Sequence, residues 1–357
     1  IAHDKAAVNM AISELETASN VEQAFAIAAR AGIPAQNLMV GDKQGNIGWT
    51  IMGPIPQRSK SFGETPTSWA NGEHQWQGLL PASEYPKVIN PENARLWTAN
   101  SRVVGGDMLA KVGNGGYALG ARAMQIRDRL FEKQQFNEGD FYQLQLDNQA
   151  RFLTPWHGLL LEQLKQQPEH YADYINALDN WQQCACSTSV GYTLVKTYRD
   201  ELINILFSSI EASLNQQDGT LSYVKRDLEP AVWQLIKAQP ASWVNPQFTN
   251  WEQQLQGAFE QTLTQLTSRF GSNIQNWQWG KVNELAIEHP FAKQMPILSK
   301  LLNMPTAPGF GDSYMPAVQK RSFGASQRFI VQPGHLKNAI LTIPGGQSGH
   351  PLSEFYR

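Results

Sequence analysis

The strongest constraint on the fold of this chain is a long stretch, residues 132–270, in which apolar side chains recur every three or four residues. That spacing is the period of an amphipathic α-helix, whose apolar face must be buried for the helix to be stable. Such stripes could line a ligand pocket, but they are more typical of core packing. We therefore expect a helical subdomain over residues 135–305. Two clear stripes are Tyr171, Tyr174, Ile175, Leu178 and Trp181, and Val190, Leu194, Tyr198, Leu202 and Ile205.

β-Structure is predicted on both sides of this stretch. Residues 37–52 contain two apolar runs around a turn that ends at Gly45, which is typical of a β-hairpin with glycine at the position of positive φ. Two β-rich runs within residues 329–343 are joined by a Pro-Gly turn. We expect both pairs to contribute to one shared sheet. The fold class is then α+β, with a core of residues 1–134, the helical subdomain of residues 135–305 and C-terminal strands within residues 306–357 that return to the core sheet.

Composition excludes several classes of protein. The chain has 357 residues, 41% of them hydrophobic, which is enough for one large domain or two ordinary ones. The net charge of −2 gives no basic surface typical of nucleic-acid binding or of an anionic membrane. No apolar run approaches the length of about 18 residues that a transmembrane helix needs. The histidines are scattered, without the spacing of metal ligands, so no metal site is predicted.

The two cysteines, Cys184 and Cys186, are separated by one residue. On a helix, residues at positions i and i+2 point to different sides, so a bridge between them is geometrically poor. We expect two free cysteines that behave as small apolar residues.

The candidate functional residues surround the segment Leu96-Trp97-Thr98-Ala99-Asn100-Ser101-Arg102. Its apolar and β-branched part predicts a short buried strand, so that Asn100 would end the strand at a cleft. Arg122 follows in the first turns of a predicted helix. Taken alone, Asn100 could also be a strand-end residue bonded to its own backbone, and Arg122 a solvated helix charge.

Taken together, these residues resemble the penicillin acylase (penicillin amidase) family of N-terminal nucleophile hydrolases. Further matches follow in the order of the family and cover nearly the whole chain. They are the hairpin from Gln36 to Gly48, the run from Trp76 to Pro91, the Trp279-Gly280-Lys281 segment and the run from Pro344 to Gly349.

The resemblance implies a fold and a site. The fold would be an incomplete αββα sandwich with a large inserted helical subdomain. Asn100 would donate a hydrogen bond to the tetrahedral oxyanion, Arg122 would lie close to the α-amino group of the nucleophile, and Gln36 would lie in the substrate pocket. Ser348 is expected to be structural. No organic cofactor is implied. Calcium is possible in the full-length protein, but no site for it can be assigned, since the alignment of nearby Asp107 is loose.

The resemblance also implies partners. The nucleophilic serine of the family begins the larger of two chains, whereas position 1 here is isoleucine. We therefore expect a C-terminal fragment of the larger chain, inactive alone, whose partners are the missing smaller chain, the N-terminal part of the larger chain and a small acyl-amide substrate. That substrate could be a penicillin, an acyl-homoserine lactone or a lipopeptide. The expected location is periplasmic or secreted. The competing class is a non-catalytic acyl-ligand-binding or interaction module.

Overall fold

The computed structural model describes residues 4–5, 8–59 and 67–357, which fall into two compact units. The first unit is Ile1–Glu138 with Phe329–Ile340, and the second is Gly139–Arg328 with Leu341–Arg357.

The first unit is built on a three-stranded antiparallel sheet in the order β1–β2–β5, beside which β3 and β4 form a separate ribbon. The predicted hairpin is confirmed as β1 and β2, which pair from Gln36 opposite Met52 to Gly41 opposite Ile47. Gly45 in its turn has a φ of +90°, a conformation that glycine adopts readily. The elements are α1 (Val21–Ala28), β1 (Gln36–Gly41), β2 (Ile47–Met52), β3 (Pro56–Arg58), β4 (Trp76–Leu79), β5 (Lys87–Ile89), α2 (Gly106–Val112) and α3 (Ala121–Phe131), and a 3-10 helix at Ala11–Thr17 precedes them.

The central strand β2 is buried on both faces. On one face α1 packs closely, because a Cβ atom at Gly48 would lie 2.6 Å from side-chain atoms of Val21 and Phe25. On the other face Trp49 and Ile51 form the core of a cluster that also includes Leu96. The sheet is therefore covered by a helix on one side and by an irregular segment on the other.

The prediction of a strand at residues 96–99 is wrong. This run is half-buried and pairs with no strand of the described chain. Leu96 packs onto the face of the sheet, beside Trp49, and is partly buried there. The apolar pattern therefore indicated burial correctly, but burial on a sheet face requires no pairing of the backbone.

The second unit is mainly helical, and the helical content of residues 135–305 agrees with the prediction. Its longest helices, α7 and α9, pack against each other. Its fully buried large side chains include Trp156, Tyr192, Tyr198, Phe259 and Trp277, which belong to one cluster. The helices are α4 (Glu138–Gln145), α5 (Thr154–Leu164), α6 (Ala172–Asp179), α7 (Val190–Asn215), α8 (Glu229–Ala238), α9 (Trp251–Phe270), α10 (Trp279–Val282), α11 (Pro290–Gln294) and α12 (Ser299–Leu302).

The prediction that the C-terminal strands share a sheet with the hairpin is wrong. The remaining strands are β6 (Gln319–Lys320), β7 (Phe323–Gly324), β8 (Arg328–Ile330) and β9 (Ile340–Thr342). Among the described residues, β6 pairs only with β7 and β8 only with β9, each as a two-stranded sheet. Each of these short strands pairs with its neighbour in the sequence, so the C-terminal strands close locally and do not extend the sheet of β1, β2 and β5.

The prediction of free cysteines is also wrong, because Cys184 and Cys186 form a disulfide. The helical geometry assumed for them does not apply. They lie outside any helix, in a segment that pairs at Gln149 opposite Cys184. Their Cα atoms are 5.1 Å apart, within the range that a disulfide spans.

Ser348 has a structural role, as expected. Its backbone N–H donates to the Phe355 carbonyl at 3.0 Å, and its hydroxyl accepts from the His350 N–H at 3.1 Å. At Gly346 a Cβ atom would lie 1.7 Å from the Phe355 carbonyl oxygen, so only glycine fits there. This motif holds the last residues of the chain, Phe355 and Tyr356, against residues 346–348. Within the described part of the chain, no helix combines the length and apolarity needed to span a membrane.

Candidate functional site

Asn100 lies at the exposed end of the irregular segment that covers the sheet of the first unit. Its backbone carbonyl accepts a hydrogen bond from the Ala118 N–H at 2.9 Å, which fixes the main chain at this point. The neighbouring Ser101 is buried and Arg102 is exposed. The chain therefore presents Asn100 and Arg102 to the outside on either side of an inward-facing serine.

Arg122 is the second residue of α3, which begins after Gly120. Burial lowers the pKa of the Arg122 guanidinium, although an arginine remains protonated at any physiological pH. Its Nη2 donates a hydrogen bond to Oδ1 of Asn100, 22 positions earlier in the chain. The structure thus brings together the two residues for which a catalytic role was predicted.

This hydrogen bond fixes the orientation of the Asn100 carboxamide. Because Oδ1 accepts from a cation, the Nδ2 amide hydrogens point away from Arg122. In the part of the chain that the structure describes, Asn100 Nδ2 donates no hydrogen bond, and Arg122 has no acidic partner. A positive charge behind an amide donor polarises it, so this pair is suited to stabilise a negatively charged oxygen.

Gln36, predicted as a pocket residue, is the first residue of β1 and is exposed. The described residues provide no hydrogen bond between Gln36 and Asn100 or Arg122. Gln36 therefore remains a sequence-based prediction and is not joined to the pair by the structure.

A pocket of about 230 Å³ opens into the first unit beside these residues. Its walls are mainly apolar, and it is bordered by Ala123, which follows Arg122, and by Arg102, which comes two residues after Asn100. The apolar walls are formed by Trp49, Val88, Leu96, Trp97, Val103 and Val104. Trp49 is held in place because its Nε1–H donates to Oδ1 of Asn37 at 2.9 Å.

The sequence did not single out this pocket or Arg102. Arg102 was visible only as the last residue of the motif around Asn100. The walls come from β2, β5 and the irregular segment, and no local pattern indicates that these meet. Within the described residues, no group of three or more His, Cys, Asp or Glu side chains could hold a metal ion.

The comparisons with known proteins point in one direction. A family model described as penicillin amidase matches residues 1–357. The chain is 26% identical to the penicillin acylase 2 proenzyme of Pseudomonas sp. strain SE83, over 97% of this chain and 45% of that protein. It is 23% identical to the acyl-homoserine lactone acylase QuiP of Pseudomonas aeruginosa, over 96% of this chain and 45% of that protein.

Among solved structures, a thermostable penicillin G acylase from Alcaligenes faecalis matches with a TM-score of 0.58 and 17% sequence identity. The match covers 95% of this chain and 63% of that chain. This likeness confirms the α+β class and shows that the chain shares its fold with a penicillin G acylase. The chain itself spans less than half the length of the curated relatives it matches.

Proposed function

Because the chain belongs to the penicillin amidase family, we propose that it forms the part of an acyl-amide hydrolase that stabilises the tetrahedral intermediate. The observation that carries this proposal is the hydrogen bond from Arg122 to Asn100 Oδ1. It leaves the Nδ2 hydrogens of Asn100 free to donate to a developing oxyanion, whose stabilisation is usually the largest electrostatic contribution to acyl transfer.

The nucleophile would be the N-terminal serine of the larger chain of the full-length protein, with its own α-amino group as general base. That serine would come from outside this chain, together with the smaller chain. The guanidinium of Arg122 would disfavour protonation of a nearby amine and so keep the base neutral near pH 7. The chain alone would then not hydrolyse amides. Gln36 would contribute to the substrate pocket, a role supported only by the resemblance.

The substrate would be a small acyl amide. The names of the relatives specify two kinds, penicillins and acyl-homoserine lactones. A periplasmic or secreted location is supported by the disulfide between Cys184 and Cys186, since disulfides persist in oxidising compartments.

The alternative is a non-catalytic module that binds an acyl ligand. The apolar pocket of about 230 Å³ favours it, because the walls described here could hold a small apolar group without any nucleophile.

The test is Asn100→Ala in the full-length protein, assayed with a chromogenic phenylacetyl amide. Loss of one oxyanion donor typically lowers kcat by about 10²–10³, and KM should change little because the hydrogen bond strengthens only as charge develops. The matched control is Asn71→Ala, which removes an exposed asparagine of the same unit.

The melting temperature should be the same for both variants and for the wild type. If Asn100→Ala lowers the melting temperature and leaves kcat per folded molecule unchanged, Asn100 only stabilises the fold. If the full-length wild type binds the acid product but hydrolyses no amide, the binding module is the correct class.

A further inference from the structure

The pocket beside Asn100 combines apolar walls with an unbalanced positive charge. Two arginines, Arg95 and Arg102, are among its lining residues, and no acidic side chain is. Neither arginine forms an ion pair within the described parts of the chain. A small apolar cleft with cations and no anions favours a ligand that is itself an anion with an apolar body.

The hydrogen-bonding capacity of Arg95 is already used. Its Nε donates to the Leu130 carbonyl at 2.6 Å, its Nη1 to the Asn93 carbonyl at 2.8 Å and its Nη2 to the Lys133 carbonyl at 2.6 Å. Its guanidinium also lies over the ring of Phe131, at 5.3 Å from the centroid. Arg95 therefore joins the C-terminal end of α3 to the segment around Asn93. Each nitrogen of its guanidinium already donates to a carbonyl, and it acts on the pocket only through its positive charge.

Arg102 is different. Its side chain is exposed, and with the described residues it forms neither a hydrogen bond nor an ion pair. The charge of Arg102 acts on Tyr117, where burial raises the pKa of the phenol and the Arg102 cation partly opposes that rise. Its whole guanidinium is thus available to a ligand. A planar guanidinium matches a carboxylate through two parallel hydrogen bonds, which gives both affinity and orientation.

We propose that Arg102 binds a carboxylate of the substrate at the mouth of this pocket, while the apolar group next to that carboxylate lies between Trp49 and Trp97. This inference rests on the proposed function and specifies the substrate of the same site. The carboxylate belongs to the half of the substrate that leaves as the amine.

The size of the pocket fits this assignment. A dry cavity of about 150 Å³ holds benzene in another protein. The 230 Å³ available here therefore accommodates one ring, or a branched aliphatic group of similar size, next to the carboxylate.

The assignment separates the two kinds of substrate named for the relatives. A penicillin carries a carboxylate on its amine half, whereas the homoserine lactone released from an acyl-homoserine lactone carries none. Arg102 therefore favours amides of carboxylate-bearing amines over amides of neutral lactones.

Binding is tested first, on the full-length protein, by titration calorimetry with benzoate and with benzamide, its neutral isostere. We expect benzoate to bind at least about tenfold more tightly, the effect of one charge-assisted hydrogen-bonding group at a partly exposed site. Arg102→Gln should abolish the preference, and Arg102→Lys should retain part of it through its charge. The matched control is Lys87→Gln, which removes an exposed cation of β5 in the same unit and should keep the preference.

Hydrolysis is tested next with two chromogenic amides that share the phenylacetyl group. One is the neutral 4-nitroanilide, and the other releases an aminonitrobenzoate. We expect kcat/KM to favour the carboxylated amide, and Arg102→Gln to bring the ratio of the two values close to one while Lys87→Gln keeps it.

The outcomes are distinguishable. Equal binding of benzoate and benzamide by the wild type, or a preference that survives Arg102→Gln, contradicts the carboxylate site. Hydrolysis of both amides at the same kcat/KM shows that the substrate does not use it, and so contradicts the inference while the proposed function stands. Hydrolysis of neither amide contradicts the proposed function, and benzoate binding then decides whether the Arg102 site exists.

Discussion

Replacement of Glu229 by alanine tests a charge pair buried in the second unit. The first residue of α8, Glu229, receives hydrogen bonds from Arg199 Nε at 3.0 Å and Nη2 at 2.6 Å through one carboxylate oxygen. Its other oxygen accepts from the indole N–H of Trp156 at 2.6 Å and of Trp233 at 3.1 Å. The side chains of Glu229 and Arg199 are each only 6% exposed.

The expected loss in the free energy of unfolding depends on which polar groups stay unpaired once Glu229 is removed. Removing one partner of a buried ion pair costs about 3–5 kcal/mol, because it leaves an uncompensated charge in the interior. Here Arg199 keeps a second acidic partner, since its Nη1 donates to Asp200 at 2.8 Å. The buried indole N–H of Trp156 loses its acceptor, which alone costs about 1–3 kcal/mol and overlaps with the loss of the pair. We therefore expect the free energy of unfolding to fall by about 3–4 kcal/mol.

The measurement is urea unfolding followed by circular dichroism at 222 nm, which reports on the helices of this unit. The control is Glu284→Ala, whose exposed carboxylate lies 3.5 Å from Arg321 and should cost about 0–1 kcal/mol. Adding Arg199→Met to Glu229→Ala should recover part of the loss, because the unpaired charge is then gone. If Glu229→Ala costs no more than the control, the pair does not stabilise the helical unit and the reasoning is wrong.

Three further predictions concern other parts of the chain. In the first unit, hydrogen bonds from the Asn46 side chain and nearby backbone amides hold the pKa of Asp42 below its usual value. The ionised Asp42 carboxylate therefore stabilises the folded state above about pH 4, and this stabilisation is lost as the pH falls through the folded-state pKa. The difference in the free energy of unfolding between the wild type and Asp42→Asn, measured by urea unfolding, should therefore shrink on acidification. Reducing the disulfide should lower stability by only about 1–2 kcal/mol, because it closes a very short loop, and a Cys184→Ser/Cys186→Ser variant should not respond to the reductant in the same unfolding assay. In the full-length protein, Arg122→Gln should raise the pKa of the α-amino base and shift the acidic limb of the pH–rate profile to higher pH, so activity near neutrality should fall in a way that Asn71→Ala does not reproduce.

The helices could be predicted because their signal is local. Leu194, Tyr198 and Leu202 are fully buried on α7, where their spacing had placed them on one apolar face. A helix satisfies its backbone within itself, so three- and four-residue periodicity is enough to identify it. The hairpin of β1 and β2 was predictable for the same reason, since its turn lies between the two strands it joins.

The predictions that were wrong concern contacts between residues that are distant in the sequence. The strand predicted at residues 96–99 has the right composition but packs on a face of the sheet. The β8–β9 hairpin has a clear turn, but no local signal says which sheet it joins. The disulfide was missed because a helix was assumed around Cys184, whereas the chain there is held by backbone hydrogen bonds between residues 148–150 and 183–185.

The candidate site shows the same division. The resemblance indicated Asn100 and Arg122 separately, but their contact joins a loop to a helix, and nothing in the spacing of the two residues requires it. Arg102 could not be singled out from the sequence at all. Its significance lies in the absence of any acidic neighbour among the residues lining its pocket, which is a property of the folded surface.

The lack of acidic neighbours is common to both parts of the site, the Asn100–Arg122 pair and the pocket with Arg102. The chain carries a net charge of −2, yet Arg122, which contacts Asn100, and Arg102, which lines the nearby pocket, both lie without an acidic partner among the described residues. Unbalanced cations near a surface raise the local concentration of anions and stabilise negative charge that forms there. An acid placed beside either arginine would gain an ion pair and neutralise that field. A site of this kind is therefore expected to give up some stability for a positive potential at the point where an anion forms or binds.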